Sequence, residues 1–261
     1  MEILLRDQLN RPLAISKKPT RIVSLVPSQT ELLVALGLAD FIVGITKFCV
    51  HPSHLLKTKK VVGGTKNVHY QKIDALQPHI ILCNKEENTM EIVATLEKKY
   101  PVHVSDVASL SDTYQLIEAY GKLFSCEKKA REITKKISDA QHRFEAHMKN
   151  KPKINVLYLI WKNPWMAAGK GTFIDAILQL NHFQNALHTT TRYPELTEAT
   201  IRAMHVDLIL LSSEPFPFAQ KHIAEIQQIA PKARIKLVDG EFFSWYGSRL
   251  IDAFPYFRSL H

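Results

Sequence analysis

The sequence predicts an α/β protein of two similar lobes with parallel-type sheets, joined by a long bridging α-helix. Three observations carry this expectation. Strand-like and helix-like patterns alternate along the 261 residues, the order that gives parallel sheets with crossover helices. One segment recurs: Ile73-Asp74-Ala75-Leu76-Gln77-Pro78-His79-Ile80-Ile81-Leu82 reads without a gap against Ile201-Arg202-Ala203-Met204-His205-Val206-Asp207-Leu208-Ile209-Leu210. Between the copies, Ala130, Ile133, Ile137, Ala140, Phe144 and Met148 are spaced 3, 4, 3, 4 and 4, a single apolar stripe on a long helix.

The elements follow in order. Arg21-Ile22-Val23-Ser24-Leu25 is the first strand. In the next segment Ser28 and Glu31 have capping-box spacing, so the serine can accept from the Glu31 N–H while the glutamate reaches back. The helix covers 30–36 and stops at Gly37, which takes the left-handed conformation without a Cβ clash. A strand over 41–45, a short helix over 73–76, a strand over 79–83, a helix over 88–99 and a strand over 102–104 complete the first lobe. Ile117, Tyr120 and Phe124 keep helical spacing, and Gly121 and Ser125 interrupt it, leaving 127–149 as the continuous bridge. At 1.5 Å per residue this helix is about 35 Å long. It ends at Lys149-Asn150-Lys151-Pro152, a boundary signal.

The second lobe repeats the scheme. Its strands cover 154–160, 206–211 and 235–238, and its later helices 218–229 and 248–259. Thr172 and Asp175 have capping-box spacing at the start of a helix to Leu180, and Thr197 caps a short one. Val102-His103-Val104-Ser105-Asp106 corresponds to Ile235-Lys236-Leu237-Val238-Asp239. The expected divisions are an amino-terminal lobe of 1–110, a bridge of 111–151 and a carboxy-terminal lobe of 152–261. A helical bridge resists hinge opening, so a rigid ligand cleft between lobes is expected.

Composition narrows the function. Apolar residues at 46% and charged residues at 23% describe a globular chain, not a disordered one. No apolar run reaches the length of about 18 residues that spans a membrane. The start lacks a basic and then apolar leader and a nearby lipid-acceptor cysteine, so a cytoplasmic protein is expected as written, periplasmic or cell-surface if a leader precedes it. Cys49, Cys83 and Cys126 are odd in number and far apart, which excludes a disulfide scaffold. The net charge of +9 raises nucleic acid as a partner, but the densest cations (Lys128, Lys129, Arg131, Lys135 and Lys136) face away from the apolar stripe as a solvated helix surface, so none is expected.

Arg21-Ile22-Val23-Ser24-Leu25-Val26-Pro27-Ser28-Gln29-Thr30-Glu31-Leu32 resembles the opening strand and loop of class III substrate-binding proteins of ABC transporters, the helical-backbone metal-chelate receptors with a chelatase-like fold. Further similar segments are the 73–81 motif, the bridge, Ala167-Ala168-Gly169-Lys170-Gly171-Thr172-Phe173-Ile174 and Ser244-Trp245-Tyr246-Gly247-Ser248-Arg249. The chain resembles most the vitamin B12 (cobalamin) binding branch. The resemblance implies a monomeric, non-enzymatic binder of a corrinoid or related metal chelate, with no intrinsic cofactor or metal. It would be the solute-binding component of an ABC uptake system or a cytoplasmic relative of one. A ferric-siderophore or haem binder, and a tetrapyrrole-handling enzyme on the same scaffold, are the alternatives.

The implied ligand positions are Pro27, Ser28, Phe48, His51, Thr65, Asn84 and Lys85 in the first lobe. In the second they are Trp161, Trp165, Met166, Tyr193, Glu214, Phe243, Trp245 and Tyr246. Gln71 and Ser244 stand where the resemblance expects acidic permease-docking residues, with Glu86 or Glu241 as substitutes. The residues themselves agree in part: Trp161-Lys162-Asn163-Pro164-Trp165 and Phe242-Phe243-Ser244-Trp245-Tyr246 read as polar-aromatic loops and hold all three tryptophans. Rigid rings give a flat macrocycle large contact area at small entropic cost.

Other motifs are weaker. Cys49-Val50-His51-Pro52-Ser53-His54 packs three metal-ligand types into six residues, but no partner pair completes a zinc site. His51 or His54 remains open as an axial ligand to the metal of a bound chelate. Cys49 with His51 as a nucleophile pair lacks a third, orienting group, and Cys83 reads as core. Gly169-Lys170-Gly171-Thr172 lacks phosphate-loop spacing and reads as a tight turn, or as a helix start whose N–H groups hold a ligand's carboxylate, amide or phosphate. Arg249 is expected to pair with Asp239 or Glu241, or to face the cleft. Paired carboxylates and hydrolase or dinucleotide motifs are absent, which argues against an enzyme.

Overall fold

A computed structural model describes residues 3–15 and 17–261 of the protein. By internal contacts the chain divides into two units, Met1–Ser138 with Tyr246–Ile251, and Asp139–Trp245 with Asp252–His261.

The first unit opens with an antiparallel hairpin, β1 (Ile3–Arg6) and β2 (Pro12–Ile15). There follow β3 (Ile22–Ser24), α1 (Pro27–Ala35), β4 (Ile42–Ile45), α2 (Leu55–Thr58), β5 (Lys60–Val61), α3 (Tyr70–Ala75), β6 (Ile80–Asn84), α4 (Met90–Leu96), β7 (Val102–Ser105) and α5 (Leu110–Leu123). The strands pair in the order β5-β4-β3-β6-β7, all parallel. Both faces of the central strands are covered, so β3 and β6 are buried at every residue. Val23, Ile81, Cys83 and Val104 pack there with Val62, Ile73, Ile92 and Leu96.

α6 (Glu127–Met148) matches the expected bridge to within a residue. Its apolar stripe is buried from Ala130 to Met148. Ser125, at φ +50°, separates it from α5. Gly121 does not interrupt a helix as expected. It lies inside α5, where a Cβ would come within 2.8 Å of the Ala130 Cβ, so the glycine permits close packing of α5 on α6.

The second unit contains β8 (Ile154–Trp161), β9 (Trp165–Ala167), α7 (Phe173–Leu180), β10 (Phe183–Asn185), β11 (Glu195–Leu196), α8 (Glu198–Ala203), β12 (Leu208–Ser212), α9 (Gln220–Ile229), β13 (Arg234–Val238) and α10 (Gly240–Ser244). α11 (Leu250–Arg258) ends the chain's regular structure. The sheet runs β11-β9-β8-β12-β13, with β10 also on β8; β8, β10, β12 and β13 are parallel. Two expected loops are regular structure. Trp161 to Trp165 joins β8 to β9 as an antiparallel hairpin, and of the expected 242–246 loop, 242–244 lies in α10 while Trp245 and Tyr246 follow it.

The repeated segment is repeated in conformation. Gln77 (φ +44°) and His205 (φ +47°) both take the left-handed region at the matching turn, one residue after α3 and α8 cap in the right-handed region. Capping divides. Thr172 accepts from the Asp175 N–H at 3.1 Å and Thr197 from the Thr200 N–H at 3.1 Å, as expected. The Ser28–Glu31 box does not form: α1 starts on Pro27 without a side-chain cap, because proline's fixed φ already suits a first helical residue.

Candidate ligand-binding site

Parallel sheets take ligands outside the carboxyl ends of their strands, at the point where strand order reverses. In the first unit that point lies between β3 and β6, since the chain adds β4 and β5 on one side and β6 and β7 on the other. Pro27 and Ser28 follow β3 and are buried; Asn84 ends β6 and Lys85 follows it.

The Asn84 side chain folds its own loop. Its Nδ2 donates to the Ser105 Oγ at 3.0 Å, and its Oδ1 accepts from the Glu86 and Glu87 N–H groups at 2.8 and 3.2 Å. Asn88, which the sequence reading missed, joins Asn84 to Thr65: its Oδ1 accepts from the Asn84 N–H at 2.8 Å and its Nδ2 donates to the Thr65 carbonyl at 2.9 Å. An asparagine in a post-strand turn is the available signal. Lys85 pairs with Asp106 at 2.6 Å. Phe48 and the half-buried His51 lie on the loop after β4, with Phe48 48% exposed and the Lys47 Nζ 5.0 Å from its ring centre.

Gln29 is a second residue missed from sequence. Fully buried, its Oε1 accepts from the Tyr120 hydroxyl at 2.6 Å and its Nε2 donates to the Tyr246 hydroxyl at 3.0 Å. Burial pushes both tyrosines above their ordinary pKa, so both hydroxyls stay neutral. Arg249, for which Asp239 or Glu241 was the expected partner, grips Glu31 through two bonds of 2.9 and 3.0 Å. That pairing is the geometry a guanidinium fork prefers.

The Cys49 nucleophile reading fails. Its buried Sγ lies 3.1 Å from the Thr30 hydroxyl and 3.3 Å from that of Thr46, and burial raises its pKa, so the thiol stays protonated. Cys83 is core, its thiol pushed up to about 12 by burial. Among the described residues no three His, Cys, Asp or Glu side chains gather to hold a metal.

In the second unit strand order reverses between β8 and β12. Trp161 ends β8, 38% exposed, with its ring 5.7 Å from Phe216. Trp165, on β9, is buried and stacks parallel to Phe218 at 6.3 Å. Phe216 and Phe218 were missed, although Pro215-Phe216-Pro217-Phe218 is an aromatic run directly after a strand. Met166 is half-buried on β9, and Tyr193 is half-buried just before β11.

Glu214 lies two residues beyond β12. Its Oε1 accepts from the Ser244 hydroxyl at 2.6 Å and from the Trp245 indole N–H at 2.9 Å. Burial raises its pKa, and the charges of Glu241 and Asp239 add to the rise. Gly240 makes this arrangement possible, since a Cβ there would fall 2.7 Å from the Glu214 Cγ. Phe243 is fully buried, its ring 5.0 Å from both Tyr158 and Phe257. Trp161 and Trp165 belong to one aromatic cluster through Phe216 and Phe218, Trp245 is bonded to Glu214, and Tyr246 belongs by contacts to the first unit.

The Gly169-Lys170-Gly171-Thr172 segment is the expected tight turn, with Gly171 at φ +77°. The helix start it leads into is capped from within by Thr172 and by Asp175, whose Oδ2 accepts from the Gly171 N–H at 3.4 Å.

Comparison with known proteins settles the family. The sequence matches the family described as "Periplasmic binding protein" over residues 22–234. This chain belongs to that family. It is 30% identical over 217 residues to YvrC of Bacillus subtilis (strain 168), named as an uncharacterized ABC transporter substrate-binding lipoprotein, covering 80% of this chain and 68% of that one. It is 22% identical over 243 residues to a vitamin B12-binding protein of Pectobacterium atrosepticum, covering 89% and 85%. A periplasmic heme binding protein from Pseudomonas aeruginosa superposes with a TM-score of 0.79 at 20% identity, covering 93% of this chain and 92% of that one, which shows the shared two-lobed fold. The protein is a solute-binding component of an ABC system and not an enzyme. The expected cytoplasmic location finds no support, because these relatives are named as lipoprotein or periplasmic.

Proposed function

We propose that the protein binds a corrinoid of the vitamin B12 type, or a closely related metal chelate, on the loops at the carboxyl ends of its parallel strands. The observation that carries this reading is where exposed aromatic surface lies. Among the described residues, Phe48 and Trp161 are the two exposed phenylalanine, tyrosine or tryptophan side chains. One follows β4 and the other ends β8, each at the carboxyl edge of its own sheet. Exposed apolar rings beside a fold's ligand edge mark contact surface, and a flat macrocycle offers two broad faces to such rings. The vitamin B12-binding relative, matched over 89% of this chain, supports the same class of ligand.

Thr65, Lys85, Met166 and Tyr193, implied positions that are not buried, would add contacts, with His51 or His54 available to a chelated metal. The protein would carry no cofactor of its own, act as a monomer outside the cytoplasm, and present Glu86 or Glu241 to its permease, since Gln71 is uncharged and the Ser244 hydroxyl is turned onto Glu214. The test is titration with cyanocobalamin, haemin and a ferric siderophore, followed by visible absorbance and calorimetry. Cobalamin binding tighter than about 100 μM supports the reading, and failure of all three to bind at that level overturns it.

A further inference from the structure

We propose that Glu214 determines specificity for the rim of the ligand, favouring a chelate whose periphery carries amides over one whose periphery carries carboxylates. The inference rests on the chelate-binding reading above and adds a discriminating residue to it.

Position comes first. Glu214 follows β12 beside the reversal of strand order, where a parallel sheet presents its ligand surface. Its carboxyl group is held in place. The Ser244 hydroxyl and the Trp245 indole N–H both donate to Oε1, at 2.6 and 2.9 Å, which fixes the plane of the group. The second oxygen, Oε2, takes neither of these bonds. Gly240 lets the start of α10 approach within a distance that any Cβ would forbid, so the sequence is committed to this placement.

Charge gives the direction of selection. Both donors to Glu214 are neutral, so they orient the carboxylate without cancelling it. Asp239 and Glu241 add negative charge around it. In the same unit, the Lys162 ammonium is paired with Glu225. A chain of net charge +9 thus surrounds this strand end with carboxyl groups. Above its raised pKa the carboxyl group is ionised, and it then accepts hydrogen bonds and donates none. It pairs with the N–H groups of a peripheral amide and repels a peripheral carboxylate, and such repulsion is a common route to selectivity.

The test uses one macrocycle with two rims: dicyanocobinamide, whose corrin edge carries amides, and dicyanocobyrinic acid, whose edge carries free carboxyl groups. Wild type and Glu214→Gln are titrated with both near neutral pH by visible absorbance, with thermal melting as the check on folding. Wild type should prefer cobinamide, and Glu214→Gln should shrink that preference about tenfold, mainly by tighter binding of cobyrinic acid. Glu241→Gln should shift the ratio the same way by a smaller factor, and it decides the matter if Glu214→Gln does not fold. Binding of both corrinoids with an unchanged ratio in the folded variants overturns the role of Glu214 and leaves chelate binding intact. Failure of wild type to bind either corrinoid overturns both.

Discussion

Arg249 and Glu31, 218 positions apart in the sequence, form a two-pronged ion pair at 2.9 and 3.0 Å. Their side chains are 11% and 24% exposed, so neither charge is freely hydrated. The same stretch is anchored to α1 twice more, through the Tyr246 hydroxyl on Gln29 and through Gly247 (φ +94°) lying against Leu32. Truncation of one partner leaves the other charge poorly solvated. Arg249→Ala should therefore destabilise the protein by roughly 2–4 kcal/mol, and Arg249→Lys by less, because an ammonium keeps the charge but not the fork. Denaturant unfolding of the three proteins checks the order; equal midpoints for wild type and Arg249→Ala would refute it.

His103 predicts a pH dependence. It is buried on β7, neither ring nitrogen has a hydrogen-bond partner, and its ring lies edge-on to Tyr120 at 5.3 Å. Burial pulls its pKa down to about 4, opposed by Asp7 and assisted by Arg11. The folded pKa lies below the unfolded one, so the unfolded state binds more protons between them. Stability is fully present above pH about 6.5 and falls as pH drops towards 4, by roughly 3 kcal/mol for this group. His103→Phe should flatten that slope without loss at neutral pH, since no hydrogen bond is removed. Urea unfolding from pH 7 to 4 measures it.

Local pattern was enough for α6, whose stripe of six apolar residues fixes a helix in one reading, and for Thr172 and Thr197, whose caps depend on residues three positions away. It was not enough where partners are remote. Gln29 looks like a surface residue until Tyr120, Ser105 and Tyr246 close around it from up to 217 positions away. The β9 strand escaped because three residues are too few to display alternation. Trp165 and Phe243 were grouped with exposed rings such as Trp161 because burial within an aromatic run depends on what packs over it. The polar-aromatic character of the 161–165 segment was legible, and its hairpin geometry was not.

Gly240 links backbone to site. A methyl group there would meet the Glu214 Cγ at 2.7 Å and its backbone nitrogen at 3.0 Å, and would also strike the Ser212 hydroxyl. These are backbone and short side-chain atoms with little room to retreat. Gly240→Ala should cost about 1–3 kcal/mol of stability and weaken corrinoid binding by displacing Glu214. Thermal melting with parallel titration is the check; a variant that matches wild type in both would mean that α10 shifts freely.

Contact and core can be told apart within the aromatic set. Phe48 and Trp161 are 48% and 38% exposed, whereas Phe243 is fully enclosed between Tyr158 and Phe257. Each of these rings is only partly enclosed, Trp161 against Phe216, so Phe48→Ala and Trp161→Ala should cost less stability than Phe243→Ala, about 1–2 kcal/mol each. Each should weaken cobalamin binding by about 1–3 kcal/mol if the ring lies against the macrocycle, as aromatic anchors do at other interfaces. Phe243→Ala should do the reverse in emphasis, costing about 3–5 kcal/mol of stability through the cavity it opens. Unfolding and cobalamin titration on the same three variants give a two-way comparison. Retained affinity in both Phe48→Ala and Trp161→Ala would place the ligand away from the carboxyl-edge rings, because no loss of fold could then be blamed for the result.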